Sequence, residues 1–134
     1  MLSITQNILN TLLNHAKKEL PIEACGYLAS KNDVVTTSYP LTNIDKSPTH
    51  FSLDPAEQFL AIKQMRKDGE DLIAVYHSHP ETPARPSQED IKLAYDPTLH
   101  YVIISLLDDA IKCFRIRNGQ VTSEELKVVS DEVL

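Results

Sequence analysis

Apolar positions first recur at helical spacing: Ile4, Ile8, Leu12 and Ala16 form one stripe, with Leu9 and Leu13 beside them. Ser3 with Gln6 three residues later reads as a capping box, so a first helix is expected from there to about Glu19, stopping before Pro21. The pattern then shortens. Ala24 to Ala29 and Val34 to Tyr39, separated by the polar Lys31-Asn32-Asp33, predict a hairpin, and Pro40 to Pro48 reads as loop. After a brief strand around Phe51 to Leu53, Asp54 can cap a second helix that has Pro55 at its first position, Glu57 placed to close a capping box, and an end before Gly69. Leu72 to Tyr76 is apolar on both faces, as a covered central strand requires, and it delivers His77-Ser78-His79 at its end. Pro80, Pro83 and Pro86 then forbid regular structure until Ser87, which can cap a short helix over Gln88 to Ala94. Tyr101 to Leu107 reads as another buried strand. Ala110 to Arg117 and Gln120 to Lys127 flank Asn118-Gly119, the preferred dipeptide of a two-residue hairpin loop, and Val128 to Leu134 carries no clear pattern. Strands and helices mixed in this order predict one α/β layered domain over residues 1–134, with a sheet of about six strands packed between helices.

Composition narrows the function. The 134 residues carry a formal net charge of −6 and show no basic stripe, which argues against nucleic acid as the main partner. No apolar run approaches the roughly 20 residues of a membrane span and the first residues lack a signal-peptide pattern, so a cytoplasmic protein with no membrane association is expected. Cys25 and Cys113 lie far apart and form no Cys-x-x-Cys pair, so both read as buried core thiols.

Residues two apart on a strand share a face, so His77 and His79 can present both imidazoles to one ion. Asp90 lies one helical turn beyond Ser87, where both side chains can face back toward the histidines. Two histidines and a carboxylate leave tetrahedral zinc one open position, the arrangement of a catalytic rather than a structural site. Singly, each residue has a bland explanation: a satisfied histidine, a helix-cap serine, an aspartate placed for the helix dipole. Together, His-x-His, then Ser and x-x-Asp at this spacing, occur by chance in on the order of one chain in a thousand. His15, His50 and His100 read as surface residues, with His50 able to line a cleft and the Pro80 to Pro86 loop as the expected cleft wall.

The run His77-Ser78-His79-Pro80, followed by Ser87-Gln88-Glu89-Asp90, resembles the JAMM signature of the MPN+ (Mov34/JAB) zinc metallopeptidases, and every signature position is filled. The resemblance extends upstream to Pro21-Ile22-Glu23-Ala24-Cys25-Gly26, where Glu23 by itself would pass for a solvated turn residue. It implies a cytidine-deaminase-like (JAB/MPN) α/β sandwich, a mixed sheet flanked by helices, holding one Zn2+ on His77, His79 and Asp90. It also implies that Glu23 carries the proton without binding metal and that Ser87 donates to the oxyanion, while Ser78 supports the site through backbone contacts. The small size favours a stand-alone prokaryotic peptidase or isopeptidase that cuts after the C-terminal Gly-Gly of a ubiquitin-like or sulfur-carrier protein. The alternatives are a non-catalytic MPN-type scaffold, which would have lost ligands, and a zinc deaminase, which would need His-x-Glu and Cys-x-x-Cys.

Overall fold

The computed structural model describes residues 1–131. Its elements run β1 (Leu2–Thr5), α1 (Gln6–Lys18), β2 (Cys25–Lys31), β3 (Val34–Leu41), α2 (Pro55–Lys67), β4 (Asp71–His79), α3 (Gln88–Lys92), β5 (His100–Ser105), β6 (Ala110–Arg117), β7 (Gln120–Glu124) and β8 (Leu126–Val129). The strands make one eight-stranded sheet in the order β7-β6-β5-β4-β2-β3-β1-β8. It is mixed: β4 lies antiparallel to β2 but parallel to β5, and β1 lies parallel to β3 and β8.

Each face has its own core. On one, Ile8, Leu12 and Ala16 of α1 pack on Leu28, Tyr76, Val102 and Ile104. On the other, Ala61 and Met65 of α2 pack on Tyr27, Ala29 and Leu41. The layered α/β architecture expected from the pattern is therefore present, with more strands than expected.

The extra strands come from both ends of the chain. Ser3 does not cap a helix; it pairs with Val34 and Lys127 inside β1, and Thr5 caps α1 by accepting from the Ile8 N–H at 3.3 Å. Ile4 serves either reading because it is buried in both, and only pairing partners distinguish them. Gln120 to Lys127 is likewise not one strand: it breaks at Glu125, where the chain passes from one sheet edge to the other, and the Glu125 carbonyl accepts from the Leu2 N–H at 2.9 Å. Phe51 to Leu53 contributes only an isolated bridge between Asn43 and Leu53. The α2 cap forms at Asp54, but Glu57 turns away from it to accept from Thr42, so no capping box closes.

Candidate metal centre

β4 is one of the two central strands of the sheet, paired on both sides, and it ends with the two histidines. Its register pairs His77 with Cys25 of β2 and His79 with Ser105 of β5. Glu23 lies two residues before Cys25, so strand parity puts it on the same face as His77 and His79. Its backbone is fixed from both sides, its N–H donating to the Ser47 carbonyl at 2.9 Å and its carbonyl accepting from Asn43 Nδ2 at 3.1 Å. α3 supplies the remaining residues. Ser87 Oγ accepts from the Asp90 N–H at 3.1 Å while Asp90 Oδ2 accepts from the Ser87 N–H at 2.9 Å, a reciprocal capping box that locks the aspartate's rotamer. The helix is shorter than the expected Gln88 to Ala94 span, yet the box alone suffices to aim Asp90.

The three side chains converge. His77 Nε2 and His79 Nε2 are 3.1 Å apart, and Asp90 Oδ2 lies 3.1 Å from the first and 3.0 Å from the second. A tetrahedral zinc ion with bonds of about 2.0 Å spaces its ligands by about 3.3 Å, so these atoms fit one with little movement. The donor chemistry fits as well. His79 Nδ1 donates to the Pro83 carbonyl at 2.9 Å, which leaves the lone pair of the neutral ring on Nε2, toward the other two donors. Phe51 stacks on His77 with ring centroids 4.7 Å apart and fixes the plane of that imidazole.

Electrostatics separates the two carboxylates. Burial opposes the charge of Asp90, but in the metal-free protein its close contacts with the His77 and His79 rings outweigh burial and hold the carboxylate far below its usual range. Burial likewise opposes charge on His79, and Asp90 with the Pro83 carbonyl reverses that and raises it. Glu23 has no such support. Burial pushes its carboxyl up to about 8, and its Oε1 is buried with no hydrogen-bond partner among the described residues. One carboxylate is thus held charged among the imidazoles, while the other is left free to carry a proton.

Beside the donors runs a groove of about 490 Å³, lined by His77, Asp90, Phe51, Tyr27, Tyr95 and Tyr101 among others. His50 borders it, as the sequence allowed. The Pro80 to Pro86 loop is not its wall: Ala84 packs on Ile103 and Phe114, and Pro83 orients His79, while Glu89 to Tyr101 forms that side of the cleft. Two other histidines depart from the surface expectation. His15 faces the sheet, its Nδ1 2.8 Å from the Tyr76 hydroxyl, and His100 is buried. Both cysteines are free and buried, as expected.

Sequence reasoning missed Asn43, Phe51 and Pro83 as parts of the site. Asn43 is the hub of the loop after β3: Nδ2 donates to the Glu23 and His50 carbonyls, and Oδ1 accepts from the Asp45 and Ser52 N–H groups. An asparagine that binds the backbone two residues on is an Asx turn, which was the available signal. Phe51 and Pro83 carry none, because their roles exist only across the fold.

No helix among the described residues is long and apolar enough to cross a membrane. Residues 5–117 match the protein family described as prokaryotic homologues of the JAB domain. A CysO-cysteine peptidase of Mycobacterium tuberculosis is 38% identical over 134 residues, covering 96% of this chain and 92% of that protein. A probable TtuB-protein conjugate cleaving protease of Thermus thermophilus is 35% identical over 121 residues, covering 90% of this chain and 79% of its own. Among solved structures, the protein DSY2949 of Desulfitobacterium hafniense superposes with a TM-score of 0.90 at 45% identity, over 98% of this chain and 94% of that one.

Proposed function

The chain belongs to the family of prokaryotic homologues of the JAB domain and is a hydrolase of the JAMM type, and from that premise we propose that it is a zinc-dependent peptidase cutting after the C-terminal Gly-Gly of a ubiquitin-like or sulfur-carrier protein. The observation that carries this reading is the convergence of His77, His79 and Asp90 beside a buried carboxyl, Glu23, that has one oxygen unpartnered among the described residues. A scaffold would not need Glu23, His77, His79, Ser87 and Asp90 all present. Relatives named for their activity include a CysO-cysteine peptidase and a probable TtuB-protein conjugate cleaving protease, which supports a small carrier protein as substrate.

In this reading the whole chain is one catalytic domain, and His77, His79 and Asp90 hold the ion. When bound, zinc supplies Lewis acidity toward water and the scissile carbonyl, and its charge draws the Glu23 pKa down toward neutrality. Glu23 accepts the proton of the attacking water and delivers it to the departing amine, which is too basic to leave unprotonated. Its raised pKa suits that transfer, since a carboxyl near its ordinary value would be a poor base toward water and would lose the proton to solvent at neutral pH before it reached the amine. Ser87 Oγ accepts from the Asp90 N–H, so its own hydrogen remains available to donate to the oxyanion. The aromatic-lined groove receives the extended tail and leads it to His77 and Asp90.

The test is incubation of the zinc-loaded protein with a panel of ubiquitin-like and sulfur-carrier proteins bearing C-terminal extensions, read by intact mass. The expected product is the carrier ending at Gly-Gly. Cleavage of none of them, by a protein containing stoichiometric zinc, would overturn the substrate assignment.

A further inference from the structure

A second set of metal-binding side chains lies on the other face of the sheet. Val102 of β5 pairs with Cys113 of β6 in the core beneath α1, and His100 shares the parity of Val102; Cys113 in turn pairs with Glu124 of β7. His77 pairs with Ile103, which has the opposite parity, so this group and the first three donors are separated by the sheet. Cys113 Sγ lies 3.8 Å from His100 Nδ1 and 3.5 Å from Glu124 Oε2, and Nδ1 and Oε2 are 2.5 Å apart.

We propose that His100 Nδ1, Cys113 Sγ and Glu124 Oε2 form a second site, for a zinc-like divalent transition metal, that staples β5, β6 and β7 together. A tetrahedral ion with bonds of about 2.3 Å to sulfur and about 2.0 Å to nitrogen or oxygen places sulfur about 3.5 Å from its fellow ligands. The sulfur-to-carboxylate separation of 3.5 Å already matches, the sulfur-to-imidazole one of 3.8 Å must close by about 0.3 Å, and Nδ1 and Oε2 must part by less than an ångström. A mixed imidazole, thiolate and carboxylate set suits zinc or cobalt rather than calcium or magnesium, which take oxygen. Three adjacent strands hold the donors, so little is lost in ordering them.

The surroundings are those of an outer layer around a metal. Arg115 Nε donates to Glu124 Oε1 at 3.2 Å, leaving Oε2 to face the sulfur, and the Met1 amine lies 3.6 Å from the same Oε1. Cys113 is buried in the core beneath α1, so its sulfur faces only this cluster and its packing neighbours. Without an ion, protons occupy the space: His100 Nδ1–H and the thiol both donate to Glu124, and His100 Nε2 accepts from Arg115 Nη2 at 3.0 Å. Loading removes the thiol proton to solvent and moves the imidazole proton from Nδ1 to Nε2, which turns Arg115 away from the ring. The net change is one proton released per ion bound. The site sits where β7 passes into β8 and closes against β1, so its occupant would stabilise that closure and take no part in hydrolysis.

Cobalt separates the two sites, because only the second contains sulfur. Chelator-treated protein titrated with Co2+ is expected to bind two equivalents, one of them accompanied by a thiolate-to-cobalt charge-transfer band in the near ultraviolet. Cys113→Ser should lose that band and one equivalent, whereas His77→Ala should keep the band and lose the other. Glu124→Gln retains the thiol and should weaken the second equivalent at least about tenfold. Absence of the band in the wild-type protein, or its survival in Cys113→Ser, would overturn the proposal and leave the proposed peptidase centre untouched.

Discussion

Ser78 Oγ accepts a hydrogen bond from the Ala24 backbone N–H at 2.8 Å, and the Ser78 N–H donates back to the Ala24 carbonyl at 3.0 Å. The residue between the two histidines is thereby tied to the residue after Glu23. This pair of bonds sets the spacing between Glu23 and the cluster of His77, His79 and Asp90, and Ser78 is fully buried. Ser78→Ala keeps the backbone bond but strands the Ala24 N–H, an expected cost of about 1–3 kcal/mol. Hydrolysis should fall about tenfold as Glu23 shifts, with metal content unchanged. Denaturant unfolding, metal analysis and kcat together check it; loss of metal in this variant would contradict the positioning role.

Glu23→Gln should bind metal as the wild type does and lose hydrolysis by at least about 10²-fold, since an amide cannot carry the proton. Metal content measured on the same sample as the progress curve decides this. Activity near the wild-type level would remove Glu23 from the mechanism.

His77→Ala should lose both metal and activity. The variant leaves Asp90 Oδ2 facing a single imidazole, and two donors do not retain a catalytic zinc through dialysis. Atomic absorption after dialysis is the measurement, and tight residual zinc on the peptidase face would show the ligand set to be different.

For the metal-free protein, the raised pKa of Glu23 sets a sign. Burial lifts the carboxyl from its ordinary 4.5 to about 8, so the folded state keeps a proton that the unfolded chain has already lost. Stability from this group is fully present below about 4.5 and is lost as the pH rises toward 8, at up to about 1.4 kcal/mol per pH unit. Glu23→Gln has no such group. Its stability relative to the wild type should therefore grow across that window, a difference readable by urea unfolding of both chelated proteins at several pH values. Parallel curves would show that Glu23 ionises normally.

Gly26 is required by close packing of the two strands and the ring beside it. A Cβ there would stand 2.4 Å from the Tyr39 carbonyl oxygen and 2.5 Å from the Tyr76 ring. The carbonyl is backbone within a paired strand and cannot yield, so Gly26→Ala should cost at least about 2 kcal/mol. Thermal unfolding reads this directly, and a shift within error of the wild type would mean that the strands separate more easily than their register suggests.

Much of the site was legible because its geometry is local. His77 and His79 share a face by strand parity, and Asp90 reaches back through a capping box whose members are three residues apart, so spacing along the chain translates directly into spacing in space. Glu23 was different. Its own surroundings in sequence say turn, and the family resemblance alone singled it out; the β2 and β4 register is what brings it level with the histidines. His100 and His15 were misjudged as surface residues for the same reason, since their partners lie 24 and 61 residues away along the chain.

By itself the sequence determined the α/β layering, the two main helices and where each stops, the Asn118-Gly119 hairpin and the grouping of His77, His79 and Asp90. These follow from periodicity, caps and short-range spacing, which act over a few residues. Tertiary structure alone decided that Ser3 belongs to a strand, that the β7 run breaks at Glu125 and continues as β8 at the other end of the strand order, that Phe51 and Pro83 orient the imidazoles, and that Glu23 is buried with a raised pKa. Those outcomes depend on which distant segments pair and on how much water the packing excludes, and neither quantity is written in any local stretch of chain.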